Sequence, residues 1–256
     1  FFRRTMNDMT AADGIDRIAP TVRPAGRAAM RQRWARLLFL HWPIPAEELR
    51  PLLPRGLALD TYAGQAWVGL VPFVVRGARP RLLPAIPGIS SFVEVNVRTY
   101  VHDGGRDPGV WFFSLDASSR VAVRVARALY HLPYRFAEMA SDVRGARVHF
   151  RSRRIAPGPR PGTCAVEYEP RGAAVPARPG TLEHFLLERY VLYAAQDGHL
   201  YQGRVHHAPY PMQEAAVEGL AEDLIAVAGL VRPPRDPLVH FASEVDVEVF
   251  GLTTLR

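Results

Sequence analysis

Residues Phe92 to Val101 read FVEVNVRTYV, and alternation this regular commits the segment to an extended strand. Val93, Val95, Val97 and Val101 take one face, while Glu94, Asn96, Arg98 and Tyr100 take the other. Comparable short β-type stretches recur between loops broken by Pro and Gly, which predicts a strand-rich section after the first helix. Leu57 to Thr61 and Ala66 to Val75 read as a hairpin around Ala63-Gly64-Gln65. Val110 to Leu115 is a second aromatic strand. Val148 to Ile155 and Cys164 to Glu169 alternate as another hairpin that would set Arg151 and Arg153 across from Glu167 and Glu169. Leu200 to His207 and Val239 to Phe250 are further strands.

Helices are expected at Pro43 to Leu53, where Pro opens a first turn carrying Glu47 and Glu48, and from the Asp116 to Ser119 cap through about Leu129 before Pro133. Two more are expected at Thr181 to Tyr193 and at Glu214 to Gly229. With 48% hydrophobic and 10% aromatic residues, the 256-residue chain can fill one large core. Residues 1–29 are polar, rich in Ala and Arg, and aperiodic; they read as a flexible leader ahead of a single domain over 30–256.

Charge and composition remove several function classes. The formal charge is +7, but the first 36 residues hold eight arginines against Asp8, Asp13 and Asp16. The rest is nearly balanced, so a phosphate-binding surface and a nucleic-acid partner are not expected. No apolar segment is long enough to span a bilayer, no signal-peptide pattern opens the chain, and Cys164 is the single cysteine; a cytoplasmic protein with no membrane partner is the expectation. The chain contains no lysine at all. A phosphate loop and a lysine Schiff base are therefore both excluded.

Other catalytic signatures are also missing. Ser118 and Ser119 lack the glycine-flanked nucleophile turn, and Cys164 lies in a strand as a packed thiol. His206 and His207 are adjacent in a strand and point to opposite faces, and His184 with Glu188 shows no HExxH pattern, so neither a metal nor a cofactor is expected. The polar row on the alternating strand is more informative. Glu94 and Arg98 lie about 13 Å apart at ~3.3 Å per residue, too far to satisfy each other. On an exposed sheet they would be solvated; lining a barrel, they would be candidates for a site. Arg120, Arg124 and Arg127 fall at helical spacing as a solvated face. Asp116, at a strand-to-helix junction, and Tyr134 and Arg135, just after Pro133, can be held inward at fixed geometry.

The blocks WARLLFLHWPIPAEELRPLL from Trp34, NVRTYV from Asn96, FFSLDA from Phe112, LPY from Leu132 and ERYVLY from Glu188 resemble the YqjF-like family of bacterial proteins over about residues 30 to 251. That family is similar in turn to the acetoacetate decarboxylase-like superfamily. The resemblance implies an α+β, mainly β fold: a large antiparallel β-barrel or cone with peripheral helices and an internal small-molecule cavity. In the decarboxylases a Tyr-Pro-Lys-Lys segment supplies the Schiff-base lysine, and here the comparable stretch is Leu132-Pro133-Tyr134-Arg135. Glu94 resembles a carboxylate that faces the decarboxylase cavity.

The function expected is binding of a small carbonyl or carboxylate compound, with non-covalent acid–base chemistry such as enolisation, dehydration or cyclisation. Glu94, Tyr134 and Arg135 are the expected catalytic residues: a proton shuttle, a hydrogen-bond donor to a developing oxyanion, and an anion holder. Asn96, Arg98, Tyr100 and Asp116 are the expected substrate-binding residues. A non-catalytic ligand-binding or sensor barrel is the alternative, and a homo-oligomer is compatible with either.

Overall fold

The computed structural model describes residues 14–156 and 162–255. Its strands are β1 (Met30–Ile44), β2 (Ala58–Leu59), β3 (Ala66–Pro80), β4 (Phe92–Asp103), β5 (Arg106–Ala117), β6 (Tyr134–Arg144), β7 (Arg147–Ala156), β8 (Thr163–Val175), β9 (Val191–Gln196), β10 (His199–His206), β11 (Met212–Glu222), β12 (Leu238–Val249) and β13 (Thr253–Thr254). Four helices accompany them: α1 (Ala46–Leu49), α2 (Arg120–Tyr130), α3 (Leu182–Leu187) and α4 (Leu224–Val227).

All the strands join one sheet that closes on itself twice. Five neighbours, β12, β1, β3, β4 and β5, form a shared wall. On one side β6, β7, β8 and β11 bridge β5 back to β12; on the other, β9 and β10 make the same return. The wall thus separates two lobes and is buried on both faces, which explains long apolar runs such as Leu37-Leu38-Phe39-Leu40. Along β3, Trp67, Val71, Phe73 and Val75 enter one core, whereas Ala66, Val68 and Leu70 enter the other.

A bulge keeps β1 in step with this division. Arg36 adopts φ 55, and the pairing with β3 slips between Ala35 and Leu40. The reversal lets Trp34 before it and Leu37 and Phe39 after it face the same core, while Leu38 and Leu40 face the opposite one. A second slip, at Phe113 in β5, does the same for Phe112 and Leu115.

Several local expectations give way to these closures. Glu214 to Gly229 forms no long helix: it is β11, paired with β8 from Glu214↔Arg171 to Glu222↔Cys164, followed by the short α4. The residues suit a helix, but the sheet needs this strand to reach β12, and Gly219 sits at φ 73 beside a register slip. The turn at Ala63-Gly64 closes only a Tyr62↔Gln65 bridge, because β2 pairs with β4 and not with β3. β1 runs on through Ile44, so the helix expected from Pro43 shrinks to α1 and a 3-10 turn at Arg50–Leu52. Thr181 does cap α3, accepting a hydrogen bond from the His184 amide, yet the chain is extended again by Val191. In the β7–β8 hairpin His149, not an arginine, lies opposite Glu167, and Arg153 turns to Glu138.

Residues 1–13 of the expected leader lie outside the described part. Residues 14–29 lie against the sheet: Arg17 bonds Asp60, Arg23 meets Glu248 at 2.6 Å, and the Ala29 amide donates to Val249 O. Asp60 is fully buried and also takes Arg189 Nη1 at 2.7 Å, so it ties this segment to the chain just after α3.

Where β5 meets β9 the backbones come very close. A Cβ on Gly109 would lie 2.5 Å from Val191 O and 2.8 Å from Val191 Cβ. Gly109→Ala must push the two strands apart and is expected to cost about 1–3 kcal/mol, read as a lower urea midpoint. An unchanged midpoint would show that the strands are not held this tightly.

Candidate active site

The polar row of β4 does not face solvent. Glu94, Asn96, Arg98 and Tyr100 are all less than a tenth exposed, and they point into the lobe closed by β9, β10 and α3. The alternation that marks the strand therefore also places four polar side chains where water does not compensate them.

Glu94 is met by Tyr134, whose hydroxyl donates to Oε2 at 3.0 Å. The β4–β5 pairing puts Glu94 opposite Ala117 and Asn96 opposite Leu115, and the parallel β5–β6 pairing sets Leu115 beside Tyr134. Register alone thus brings this phenol and this carboxylate to one face. Burial pushes the Glu94 carboxyl up to about 8 against the opposing pull of the Tyr134 hydrogen bond, and the Tyr134 hydroxyl is raised well above the ordinary phenol range by its own burial and by Glu94.

Further along the row, Tyr100 and Arg98 converge on α3. The Tyr100 hydroxyl donates to Leu186 O at 2.7 Å, and Arg98 Nη2 donates to the same oxygen at 3.1 Å. With that proton used, the 2.7 Å contact from His41 Nε2 to the Tyr100 oxygen requires Nε2–H on the imidazole. Nδ1 is then a buried acceptor without a partner among the described residues. Burial, with Arg98 next, holds His41 neutral, well below the usual imidazole range. Asn96 Oδ1, lying between the two groups, also lacks a partner among the described residues.

Asp116 is not brought to this cluster. It lies opposite Val95, on the other face of the wall, where Arg154 Nη2 holds it at 2.9 Å. Arg135 pairs with Asp116 in the β5–β6 register and adds its field there. The expected residues therefore divide into Glu94 with Tyr134, Arg98 with Tyr100, and Asp116 with Arg135.

Tyr134 and Arg135 nevertheless share a cleft. One edge of β5 pairs first with β9, at Val110 and Trp111, and then with β6, from Leu115 to Ala117. Between them the sheet forks, and a cavity of about 680 Å³ opens. Its lining includes Trp111, Phe112, Phe113, Arg127, Tyr134 and Arg135, so the residue whose hydroxyl meets buried Glu94 also borders the cleft. Arg127, expected on a purely solvated helix face, contributes to this wall.

Other buried polar residues, outside the expected site, surround the same lobe. His41 stands out as a polar residue inside the apolar LLFLHW run, which was its available signal. Glu188 accepts from the Tyr190 hydroxyl at 2.5 Å and the Tyr210 amide at 2.9 Å. His207 stacks on Tyr190 and is pushed down to about 4 by burial. The Cys164 thiol is buried and raised by desolvation, as fits a packed side chain. Among the described residues no three His, Cys, Asp or Glu side chains gather in a geometry that could hold a metal ion, and no helix is long and apolar enough to cross a membrane.

With this arrangement in view, comparison with known proteins gives a direct placement. Residues 31–246 match the DUF2071 family, described as an uncharacterized conserved protein. The chain belongs to this family. A DUF2071 relative, the uncharacterized protein YqjF of Bacillus subtilis strain 168, is 41% identical over 224 residues, covering 88% of this chain and 91% of that protein. The DUF2071 fold is that of the acetoacetate decarboxylase-like enzymes. The enduracididine biosynthesis enzyme MppR complexed with pyruvate is similar with a TM-score of 0.61 at 13% identity, covering 91% of this chain and 92% of that one. An acetoacetate decarboxylase-like enzyme from Sphingomonas wittichii RW1 gives 0.60 at 14%, covering 90% and 94%. Acetoacetate decarboxylase from Legionella pneumophila subsp. pneumophila str. Philadelphia 1 gives 0.62 at 12%, covering 93% and 94%.

The raised Glu94 carboxyl has a stability consequence with a definite sign. Between the ordinary 4.5 and about 8 the folded chain keeps a proton that the unfolded chain releases, so this group makes stability fall as pH rises through that window. Glu94→Gln removes the effect while leaving an oxygen to accept from Tyr134. It is expected to match wild type near about pH 5 and to melt higher near about pH 9, by ~2–4 °C per kcal/mol relieved. Equal melting temperatures at both pH values would contradict the burial of an ionisable Glu94.

Proposed function

We propose that this protein is a small-molecule-binding β-barrel that acts on a carbonyl or carboxylate compound by non-covalent acid–base chemistry of the enolisation, dehydration or cyclisation type. The observation that carries this reading is the Tyr134–Glu94 pair, in which a phenol lining the cleft is hydrogen-bonded at 3.0 Å to a carboxyl pushed up to about 8. A base raised toward neutrality matches the weak acidity of a proton next to a carbonyl better than an ordinary carboxylate does.

The single proton of Tyr134 is directed at Glu94, which makes the pair a relay. When Glu94 is ionised, the Tyr134 oxygen can receive a proton from the carbon next to the carbonyl as its own proton passes to the carboxylate. The net transfer is from ligand to Glu94, and Arg135, at the cleft lining, supplies a positive charge near the enolate left behind. The guanidinium of Arg135 can hold an anion but not attack a carbonyl, and a lysine-free chain has no lysine to form an iminium, so the reading rests on non-covalent chemistry. Arg98 and Tyr100 are occupied by Leu186 O, which suits a role in fixing the lobe around the relay.

A second reading, ligand binding without turnover, draws on the fact that Glu94 reaches the cleft only through Tyr134. The two readings separate in deuterium oxide. Exchange of the protons beside the carbonyl of a bound keto acid, followed by proton NMR, is expected for wild type and should rise as pH passes through about 8, because ionised Glu94 is the acceptor. Glu94→Gln and Tyr134→Phe should each slow it by ~10²–10⁴-fold. A bound keto acid that exchanges no faster than free in solution would leave binding without turnover.

A further inference from the structure

The fork cleft carries more information about its ligand than the relay does. Trp111, Phe112 and Phe113 are consecutive, and all three are only partly buried. Trp111 and Phe113 lie on one face of β5 and Phe112 on the other, and all three border the cavity because β5 changes partner between Trp111 and Leu115, leaving that stretch of edge uncovered. Aromatic surface left open in a concavity is the ordinary signature of a planar apolar ligand.

The charge lining the cavity has one sign. Arg127 and Arg135 contribute to it, and no Asp or Glu does. Among the described residues neither arginine has a carboxylate at salt-bridge distance. The acid nearest Arg135 in the pairing, Asp116, is already held by Arg154. Arg127 comes from α2 and Arg135 from β6, so a ligand between them meets two guanidinium groups on independently anchored elements, a setting that fits a carboxylate by charge-assisted hydrogen bonds. Tyr134 also borders the cavity, with its hydroxyl turned to Glu94.

We infer that the cleft is selective for aromatic carboxylates that carry a carbonyl group, the ring lying against Trp111 and Phe113 and the carboxylate between Arg127 and Arg135. The volume of about 680 Å³ holds a one- or two-ring acid and is larger than a three-carbon keto acid needs. This deepens the proposed function by naming its substrate class, and rests on that reading only in placing the carbonyl near Tyr134.

Calorimetric titration with phenylpyruvate, pyruvate and phenylacetone tests it, since the second lacks the ring and the third lacks the charge. Phenylpyruvate is expected to bind at least ~tenfold tighter than either. Trp111→Ala should remove its advantage over pyruvate, and Arg135→Gln its advantage over phenylacetone. Arg127→Gln, at an exposed helical position where folding is not at risk, should weaken phenylpyruvate and pyruvate while leaving phenylacetone unchanged. Equal affinity for phenylpyruvate and pyruvate, binding of phenylacetone as tight as phenylpyruvate, or binding of none would overturn the inference. Proton exchange measured on the same samples keeps the two ideas apart. Tight phenylpyruvate binding without exchange sinks the relay and leaves the ligand class standing, while exchange of pyruvate with no preference for the ring does the reverse.

Discussion

Burial of one five-stranded wall on both of its faces governs the rest of this molecule. A sheet with water on one side can place any polar residue outward at no cost, but β4 has no outward side: Val95 and Val97 enter one core, and Glu94 to Tyr100 enter the other lobe. Every polar group in that row must therefore be paired, neutral or strained. Tyr100 and Arg98 are paired with the end of α3, His41 is kept neutral, and Glu94 holds its proton far above the usual carboxylate range. The chemistry available to the site follows from this placement.

The second constraint is that two closures share one wall, so the strands at its margins must each serve two lobes. β5 does so by giving one edge in turn to β9 and to β6, and β12 by pairing with β11 and with β10. The fork in β5 leaves the cleft, and the chain emerging from α2 through Pro133 delivers Tyr134 and Arg135 to its rim. Tyr134 connects the two consequences of the architecture, because it lies in the fork and also reaches the group that the wall has desolvated.

How much of this could be read in the sequence depended on whether the information was local. The alternation of Phe92 to Val101 gave the strand and its two faces, and the Pro133 boundary gave the junction that carries Tyr134. Which face was enclosed was not local, since it depends on β9 and α3 covering the lobe from about a hundred residues away. Asp116 illustrates the limit. It was expected just beyond the strand, at the start of a helix cap, but it lies inside β5, where the slip at Phe113 decides its face, and a single-residue bulge leaves no periodic signal. β11 failed as a strand for the opposite reason: its Ala and Glu residues favour a helix, and only the need to bridge β8 and β12 makes it extended. Arg127 sits at helical spacing on an exposed face, and nothing in its neighbours shows that the face overlooks a cleft.

The most direct test of the account is the protonation state of Glu94 itself. Infrared difference spectra of wild type against Glu94→Gln, collected across pH, report the carbonyl stretch of a protonated carboxyl in a buried site. The account predicts that this band is present in wild type at neutral pH, disappears as pH rises through about 8, and is absent from the variant throughout. A Glu94 that is already ionised at neutral pH would mean that the wall does not desolvate it, and the relay with Tyr134 would lose its physical basis.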